Sequence, residues 1–265
     1  MKSMAVRAEL SSLRVLLPRP RKDRDMFAQQ LELFAGVAHR LPVLAIVPLL
    51  ESARQNAEFV AELACHSHII FVSPTAAELT LSALEGKGRL PSSIKLYAVG
   101  QATADLLCNA GYQVIYPVGD ATSEGLLQQA QELVDVVDHK ILICRGRDGR
   151  TKLYDTLEAR GAQVRFRDIY LRQPITDNSE QINQLIGTGQ IDVVAVHSGA
   201  IFLSLWALLS EENRTKFQAL PLLVPGERVA DIVRQQNCVN LIIAASALAH
   251  DMVDGLLHWY TQQKA

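Results

Sequence analysis

The sequence is short of aromatic residues (6%), has 4 cysteines in 265 residues, and sets 26 Lys+Arg against 28 Asp+Glu for a formal net charge of −2. Charges that nearly cancel leave out the overall basic excess of a nucleic-acid binder. Cys65, Cys108, Cys144 and Cys238 stand singly, no CxxC occurs, and no Cys–His spacing fits a zinc template. No metal is expected, and the setting expected is the reduced cytoplasm. Met1–Ser12 is polar and has no apolar run long enough for a signal core or a membrane span. The motifs G-x-S-x-G, G-x-x-x-x-G-K-[ST] and H-E-x-x-H are missing. G-x-G-x-x-G is missing too, which ranks a flavin- or nicotinamide-dependent enzyme last. His66 and His68 follow Cys65, but residues at i and i+2 share a face only in a strand. They read as solvated histidines at a strand entrance rather than metal ligands.

What is present is apolar and periodic. Hydrophobic residues make up 49% of the chain, and at roughly 150 residues per domain the length suggests two domains. Short β-rich runs recur at Leu13–Leu17, His68–Val72, Ile94–Val99, Gln113–Tyr116, Lys140–Cys144, Ala162–Tyr170, Val193–Val196, Leu222–Val224 and Leu241–Ile243. Helical spacing follows most of them, at Asp23–Val37, Thr75–Leu84, Gln101–Ala110, Ser123–Leu133, Asp148–Arg160, Gly199–Leu209, Glu227–Gln236 and Ala247–Tyr260. Continuous apolar strands alternating with helices predict an α/β fold of parallel sheets covered on both faces. Leu41–Pro48 is apolar and extended with prolines near its ends, which suits a connecting strand better than a central one.

An internal repeat organises these elements. Phe71-Val72-Ser73 closes a strand before a helix, and Val196-His197-Ser198-Gly199 does the same. Val99-Gly100-Gln101-Ala102-Thr103 is echoed by Val224-Pro225-Gly226-Glu227-Arg228. Ser73 to Gly100 spans 27 positions and Ser198 to Gly226 spans 28. The match predicts two similar lobes. Small and hydroxyl residues at the carboxyl ends of parallel strands, ahead of helix N-termini, stand where open α/β sheets bind anionic ligands.

Arginines gather near strand ends: Arg19 and Arg21, then Arg145, Arg147 and Arg150, then Arg228. They read either as solvated surface or as a carboxylate-binding set. Gly146–Gly149 reads as a tight turn. Tyr170, in an extended run ending at Pro174, is either a proton donor in a cleft or a packed aromatic with a satisfied hydroxyl.

In order along the chain, several segments resemble the uroporphyrinogen-III synthase family. They are Pro18-Arg19-Pro20, Phe71-Val72-Ser73, Tyr97-Ala98-Val99-Gly100-Gln101-Ala102-Thr103-Ala104, Ile141 to Arg150, Leu157 to Val164, Ile169-Tyr170-Leu171-Arg172, Val196-His197-Ser198-Gly199 and Glu227-Arg228-Val229-Ala230. The resemblance implies two α/β lobes, each a parallel sheet flanked by helices, joined by a two-strand linker. Residues 1–42 plus 174–265 would form the first lobe, 49–167 the inserted second, and 43–48 and 168–173 the linkers.

The implied reaction converts hydroxymethylbilane, a linear tetrapyrrole with eight carboxylates, to uroporphyrinogen III in heme biosynthesis. It is a lyase reaction that uses no cofactor. Water leaves to give an azafulvene, the far ring attacks through its substituted carbon to give a spiro intermediate, and the last ring recloses inverted. The chemistry asks mainly for positioning, and lobes on paired linkers suit closure over a large ligand. By the same resemblance Tyr170 is the proton donor. The resemblance also implies that Ser73, Gly100, Thr103, Ser198, Gly199 and Gly226 line the substrate cleft, with Arg19 and Arg228 as candidate carboxylate partners. A monomer acting on a small-molecule substrate is implied by the same resemblance, and a cytoplasmic setting with no nucleic-acid or membrane partner is expected. The sequence departs from the family pattern at Pro18, His197 and Gly226, where hydroxyl residues are common. The competing reading is a non-enzymatic two-lobed sensor of an anionic ligand.

Overall fold

The computed structural model describes residues 10–20, 25–50 and 52–264. In chain order the elements are β1 (Arg14–Leu17), α1 (Met26–Leu33), β2 (Val37–Arg40), β3 (Leu44–Pro48), α2 (Ala53–Ala64), β4 (His68–Phe71), α3 (Pro74–Leu84), β5 (Lys95–Ala98), α4 (Gln101–Asn109) and β6 (Val114–Ile115). There follow α5 (Ser123–Gln129), a 3-10 turn (Gln131–Leu133), β7 (Lys140–Gly146), α6 (Lys152–Ala159), β8 (Gln163–Pro174), α7 (Ser179–Gly187), β9 (Val193–Ala195), α8 (Gly199–Leu208), α9 (Glu211–Ala219), β10 (Leu222–Val224), α10 (Glu227–Arg234), β11 (Leu241–Ile243) and α11 (Ala249–Lys264).

The chain divides into two compact units: a terminal one, running to Ala45 and resuming at Gln173, and a central one, Ile46–Arg172. The terminal unit holds a five-stranded sheet in the order β11-β10-β9-β1-β2, in parallel register throughout. The central unit's sheet has the order β3-β8-β7-β4-β5-β6, parallel from β8 to β6. The α/β architecture is the one the alternating pattern predicts.

The inner strands of each sheet are buried on both faces, and the alternation of side chains along a strand shows how. In β1, Val15 and Leu17 join a cluster with Phe27, Leu31 and Leu256, while Leu16 points to the other face and a cluster with Phe202 and Phe217. In the central unit Ile69 and Phe71 bury with Phe59 and Leu63, and Ile70 with Leu126 and Leu157. Complete burial of one such side chain stabilises by about 1.5–3 kcal/mol. This is why the strands read as unbroken apolar runs.

The structure departs from the sequence reading in definite places. The helix expected to reach Val37 ends at Leu33, because Ala35 turns left-handed (φ 63°) and Gly36 lies so close to Leu31 that a Cβ would stand 2.5 Å from Leu31 Cδ1. Val37–Arg40 becomes an edge strand instead. The helix expected over Asp148–Arg160 begins at Lys152, since Asp148 (φ 62°) first makes a turn. That over Ser123–Leu133 is broken at Ala130. Helices α2, α7 and α9 escaped the pattern. In α2 only Phe59 and Leu63 are buried, and in α9 only Asn213 and Phe217, too sparse an apolar stripe to register a period.

Candidate active site

Parallel strands bring their carboxyl ends to one side of a sheet. In the central unit the neighbours β8, β7, β4 and β5 thereby assemble Tyr170, Gly146, Ser73 and Gly100. Tyr170 lies in β8 opposite Gly146 of β7, just past a register shift between Arg145 and Gly146. Ser73 follows β4 and caps α3, its Oγ accepting from Ala76 N–H at 3.1 Å. The same Oγ lies 3.1 Å from Tyr170 Oη. Arg172 Nη2 donates to Tyr170 Oη at 3.1 Å, and its guanidinium carbon stands 5.4 Å from the ring centroid. Tyr170 is 1% exposed. It is thus a packed aromatic whose hydroxyl has two partners.

Gly146 makes room for that ring. A Cβ there would stand 2.6 Å from Tyr170 Cε2 and Cζ. Arg147 N–H donates to the Tyr170 carbonyl at 2.8 Å. Gly100 caps α4 with no side-chain hydrogen bond, leaving that helix start open. Thr103 is buried in the first turn of α4, its N–H bonded to Gly100 O.

In the terminal unit β10, β9 and β1 are adjacent, and Gly226, Ser198 and Arg19 follow them. Ser198 caps α8 through Ile201 N–H at 3.3 Å. Gly199 opens α8 beside α10; a Cβ there would meet Ile232 Cδ1 at 2.4 Å. Gly226 caps α10 with φ 147°, a conformation that only glycine adopts readily. Arg228, in the first turn of α10, is exposed. His197 packs edge-on against Phe27, ring centroids 5.3 Å apart.

The arginines divide. Arg19 forks onto Asp25, with Nε to Oδ2 at 2.9 Å and Nη2 to Oδ1, while Asp25 caps α1 through Ala28 N–H at 2.9 Å. Arg145 pairs with Asp168 at 2.9 Å and lies over Phe166, 3.4 Å from the ring centroid. Arg147 and Arg150 are exposed. Arg21 lies outside the described residues.

The histidine reading needs correction. His66 and His68 are 8% and 3% exposed, not solvated. His66 Nδ1 lies 2.7 Å from the Glu62 carbonyl. His68 opens β4 at the amino end of the central sheet and stacks on His139 and Tyr97 with centroids 4.8 and 5.7 Å away. Its pKa is pushed down to about 4, first by burial, then by the positive charges of His139 and Lys95. Burial likewise raises the Tyr97 phenol and the Cys144 thiol.

Sequence reasoning did not assign roles to Arg172 or to Gly146. The signal for Arg172 was its i+2 spacing from Tyr170 in an extended run, which places both on one face. Gly146 reads from the sequence as part of a tight turn beyond a strand ending at Cys144; the structure extends β7 through it, and a glycine at such a position allows close approach by another group.

The family model described as uroporphyrinogen-III synthase HemD matches residues 25–254. The chain is 29% identical over 236 residues to the uroporphyrinogen-III synthase of Escherichia coli strain K12, covering 88% of this chain and 95% of that one. It is 29% identical over 237 residues to the Salmonella typhimurium enzyme of the same name, covering 88% and 95%. Among solved structures, a mutant uroporphyrinogen III synthase from the extremely thermophilic bacterium Thermus thermophilus superposes with a TM-score of 0.67 at 18% identity, covering 95% of this chain and 100% of that one. The uroporphyrinogen-III synthetase of Helicobacter pylori 26695 gives 0.57 at 13% identity, covering 94% and 99%. These two likenesses bear on the fold.

Proposed function

Because the chain belongs to the uroporphyrinogen-III synthase family, we propose that it cyclises hydroxymethylbilane to uroporphyrinogen III, with loss of water and inversion of the last pyrrole ring, and that Tyr170 is the proton donor. The observation that carries the assignment of Tyr170 is its hydroxyl, held 3.1 Å from both Ser73 Oγ and Arg172 Nη2 at the start of α3. A packed tyrosine needs one satisfied hydrogen bond. This one has a hydroxyl partner and a cationic partner, an arrangement suited to giving up a proton and bearing what remains.

The reaction needs a proton on the departing hydroxyl and a bilane folded so that the substituted carbon of the far ring meets the azafulvene. Holding one geometry against a competing one is worth several powers of ten in rate without any acid–base power. Eight carboxylates are the natural handles. In the central unit Ser73, Gly100 and Thr103 stand at helix starts. In the terminal unit Arg19, Ser198, Gly199, Gly226 and Arg228 do so or flank them. Open N–H groups and the positive end of a helix dipole favour anions there. Gly100 and Gly226 cap their helices without side-chain hydrogen bonds, so no capping side chain stands in front of those helix starts. Arg19 commits Nε–H and one Nη2 hydrogen to Asp25, and its remaining guanidinium hydrogens are the donors it can offer a substrate carboxylate.

The same reading takes 43–48 and 168–173 as linker strands, supported by the chain's passing between units at Ala45/Ile46 and Arg172/Gln173. It takes the protein as a cytoplasmic monomer that acts on a small molecule and has no nucleic-acid or membrane partner. No helix among the described residues is long and apolar enough to cross a membrane.

The test is incubation with freshly made hydroxymethylbilane and separation of the product isomers. The inverted isomer is expected from the wild type. In Tyr170→Phe its rate should drop by about 10²–10⁴, with the far-UV spectrum unchanged. Formation of the uninverted isomer alone by the wild type would overturn the function. Full activity in Tyr170→Phe would overturn the role of Tyr170.

A further inference from the structure

We propose that Arg172 is a positioning residue for the Tyr170–Ser73 hydroxyl pair, its guanidinium holding the phenol oxygen and stabilising the negative charge left there when the pair gives a proton to the substrate's departing hydroxyl. The inference rests on the reading of Tyr170 as donor.

The hydrogen-bond inventory supplies the first argument. A guanidinium has only donors, so the 3.1 Å contact runs from Arg172 Nη2–H to Tyr170 Oη. Ser73 Oγ already accepts from Ala76 N–H. The two hydroxyls share one hydrogen bond and hold two protons. Whichever way that bond runs, one proton is left pointing at neither partner. Tyr170 is 1% exposed but Ser73 is only half-buried, so the pair has a face turned toward solvent.

Charge supplies the second. When the pair loses a proton, the charge settles on the phenol oxygen, since a phenol is much the stronger acid of the two. An anion in so buried a position is costly unless a cation meets it. Arg145 is committed to Asp168 and to the Gly149 carbonyl. Arg147 reaches Tyr170 through its backbone N–H, at the carbonyl. Among the described residues the cation at the hydroxyl is Arg172. Because Arg172 is exposed, its own charge stays hydrated.

Geometry supplies the third. Tyr170 and Arg172 are i and i+2 in β8, on one face of the strand. The guanidinium also lies near the ring, 5.4 Å from its centroid, so one side chain restrains both the oxygen and the plane of the phenol.

The step balances. The hydroxyl pair gives one proton to the leaving oxygen. The C–O bond breaks and its electrons depart with water, while the pyrrole nitrogen's electron pair forms the azafulvene. The phenolate regains a proton when the ring that closes last loses its α-hydrogen.

Arg172→Met, Arg172→Lys, Tyr170→Phe and the Arg172→Met/Tyr170→Phe double variant test this with fresh hydroxymethylbilane, reading kcat and KM for the inverted isomer. Arg172→Met should lower kcat about 10- to 100-fold, the range of a charge-assisted hydrogen bond. KM should stay within about twofold. Arg172→Lys should recover part of kcat, because the charge returns without the fork. In the Tyr170→Phe background Arg172→Met should cost nothing further. Equal loss in both backgrounds, or a raised KM at unchanged kcat, would show the guanidinium acting on a substrate carboxylate and overturn the inference. Unchanged kcat in Arg172→Met with Tyr170→Phe inactive overturns it while the donor reading stands. Full activity in Tyr170→Phe removes the donor reading itself.

Discussion

Gly146→Ala strikes the site without removing a charge or a hydrogen-bond donor. The added methyl would stand 2.6 Å from Tyr170 Cε2 and Cζ and 2.9 Å from Oη. Carbon atoms rest at roughly 3.5–4.0 Å, so the ring must retreat by about 1 Å. It has no free space to enter, since Tyr170 is 1% exposed and buried with Phe71, Cys144 and Ile169. Overpacking of this kind costs about 1–3 kcal/mol. Against it stands the smaller entropy of the unfolded alanine chain, worth about 0.4–1 kcal/mol where the backbone fits. Gly146 has no positive φ, so that gain applies in full. The net loss is about 1 kcal/mol, a modest shift of the urea midpoint. Function suffers more. A 1 Å retreat takes Oη from 3.1 Å toward about 4 Å from Ser73, beyond hydrogen-bond range. Misplacing a reacting group by about 1 Å costs on the order of 10² in rate. Urea melts paired with the isomer assay should therefore show near-native stability with about 100-fold less inverted product. Normal turnover in a folded alanine variant would refute the reasoning, since it would mean that the phenol's position is immaterial.

Three other substitutions follow from the same structure. His68, ordinarily near 6.5, is held at about 4 in the folded protein. The unfolded chain takes up its proton first, so the stability due to neutral His68 is complete above about pH 6.5 and is lost as pH falls toward 4, by about 3 kcal/mol at most. His68→Phe should flatten that acid limb in urea melts at pH 7 and 4.5, and an equally steep acid loss in the variant would dismiss His68 as its source. Gly226→Ala should lower stability by about 1–2 kcal/mol, although the methyl meets nothing within 4 Å, because φ 147° is strained for any L side chain. Gly199→Ala should be close to neutral, since its contact is the flexible end of Ile232. If the two glycine variants melt alike, backbone strain is not what distinguishes them.

How far the sequence told this story varies from residue to residue. The repeat was legible because helix capping is local. Ser73 and Ser198 are both N-caps with nearly the same backbone, φ/ψ −159°/155° and −161°/158°, and Gly100 and Gly226 cap the next site helix in each unit. Tyr170 and Ser73 could each be named, but their contact spans 97 positions and depends on the register shift at Gly146, which no local pattern encodes. The pairing of Arg19 with Asp25 was missed although they are six residues apart, because it depends on where α1 starts. His68 reads as polar until Tyr97 and His139 arrive from other parts of the chain to cover it. The edge strand β2 shows only exposed and half-buried residues, so it lacks the apolar signature of the inner strands.

The placement of β1 between β2 and β9 bears on the order in which the protein can be made. Val15 and Leu16, wholly shielded in the finished molecule, lie against Val193 and Val194, and Arg14 clamps Asp192 with three hydrogen bonds of 2.6–2.9 Å. The ribosome adds about 5–20 residues per second, so β1 waits on the order of 10–40 s for that neighbour. The central unit, being one uninterrupted stretch of chain, has all its strands in hand before β9 is translated. The central unit can therefore close before the terminal sheet is complete. Until Val193 and Val194 follow, the edge of β1 that they cover stands unpaired.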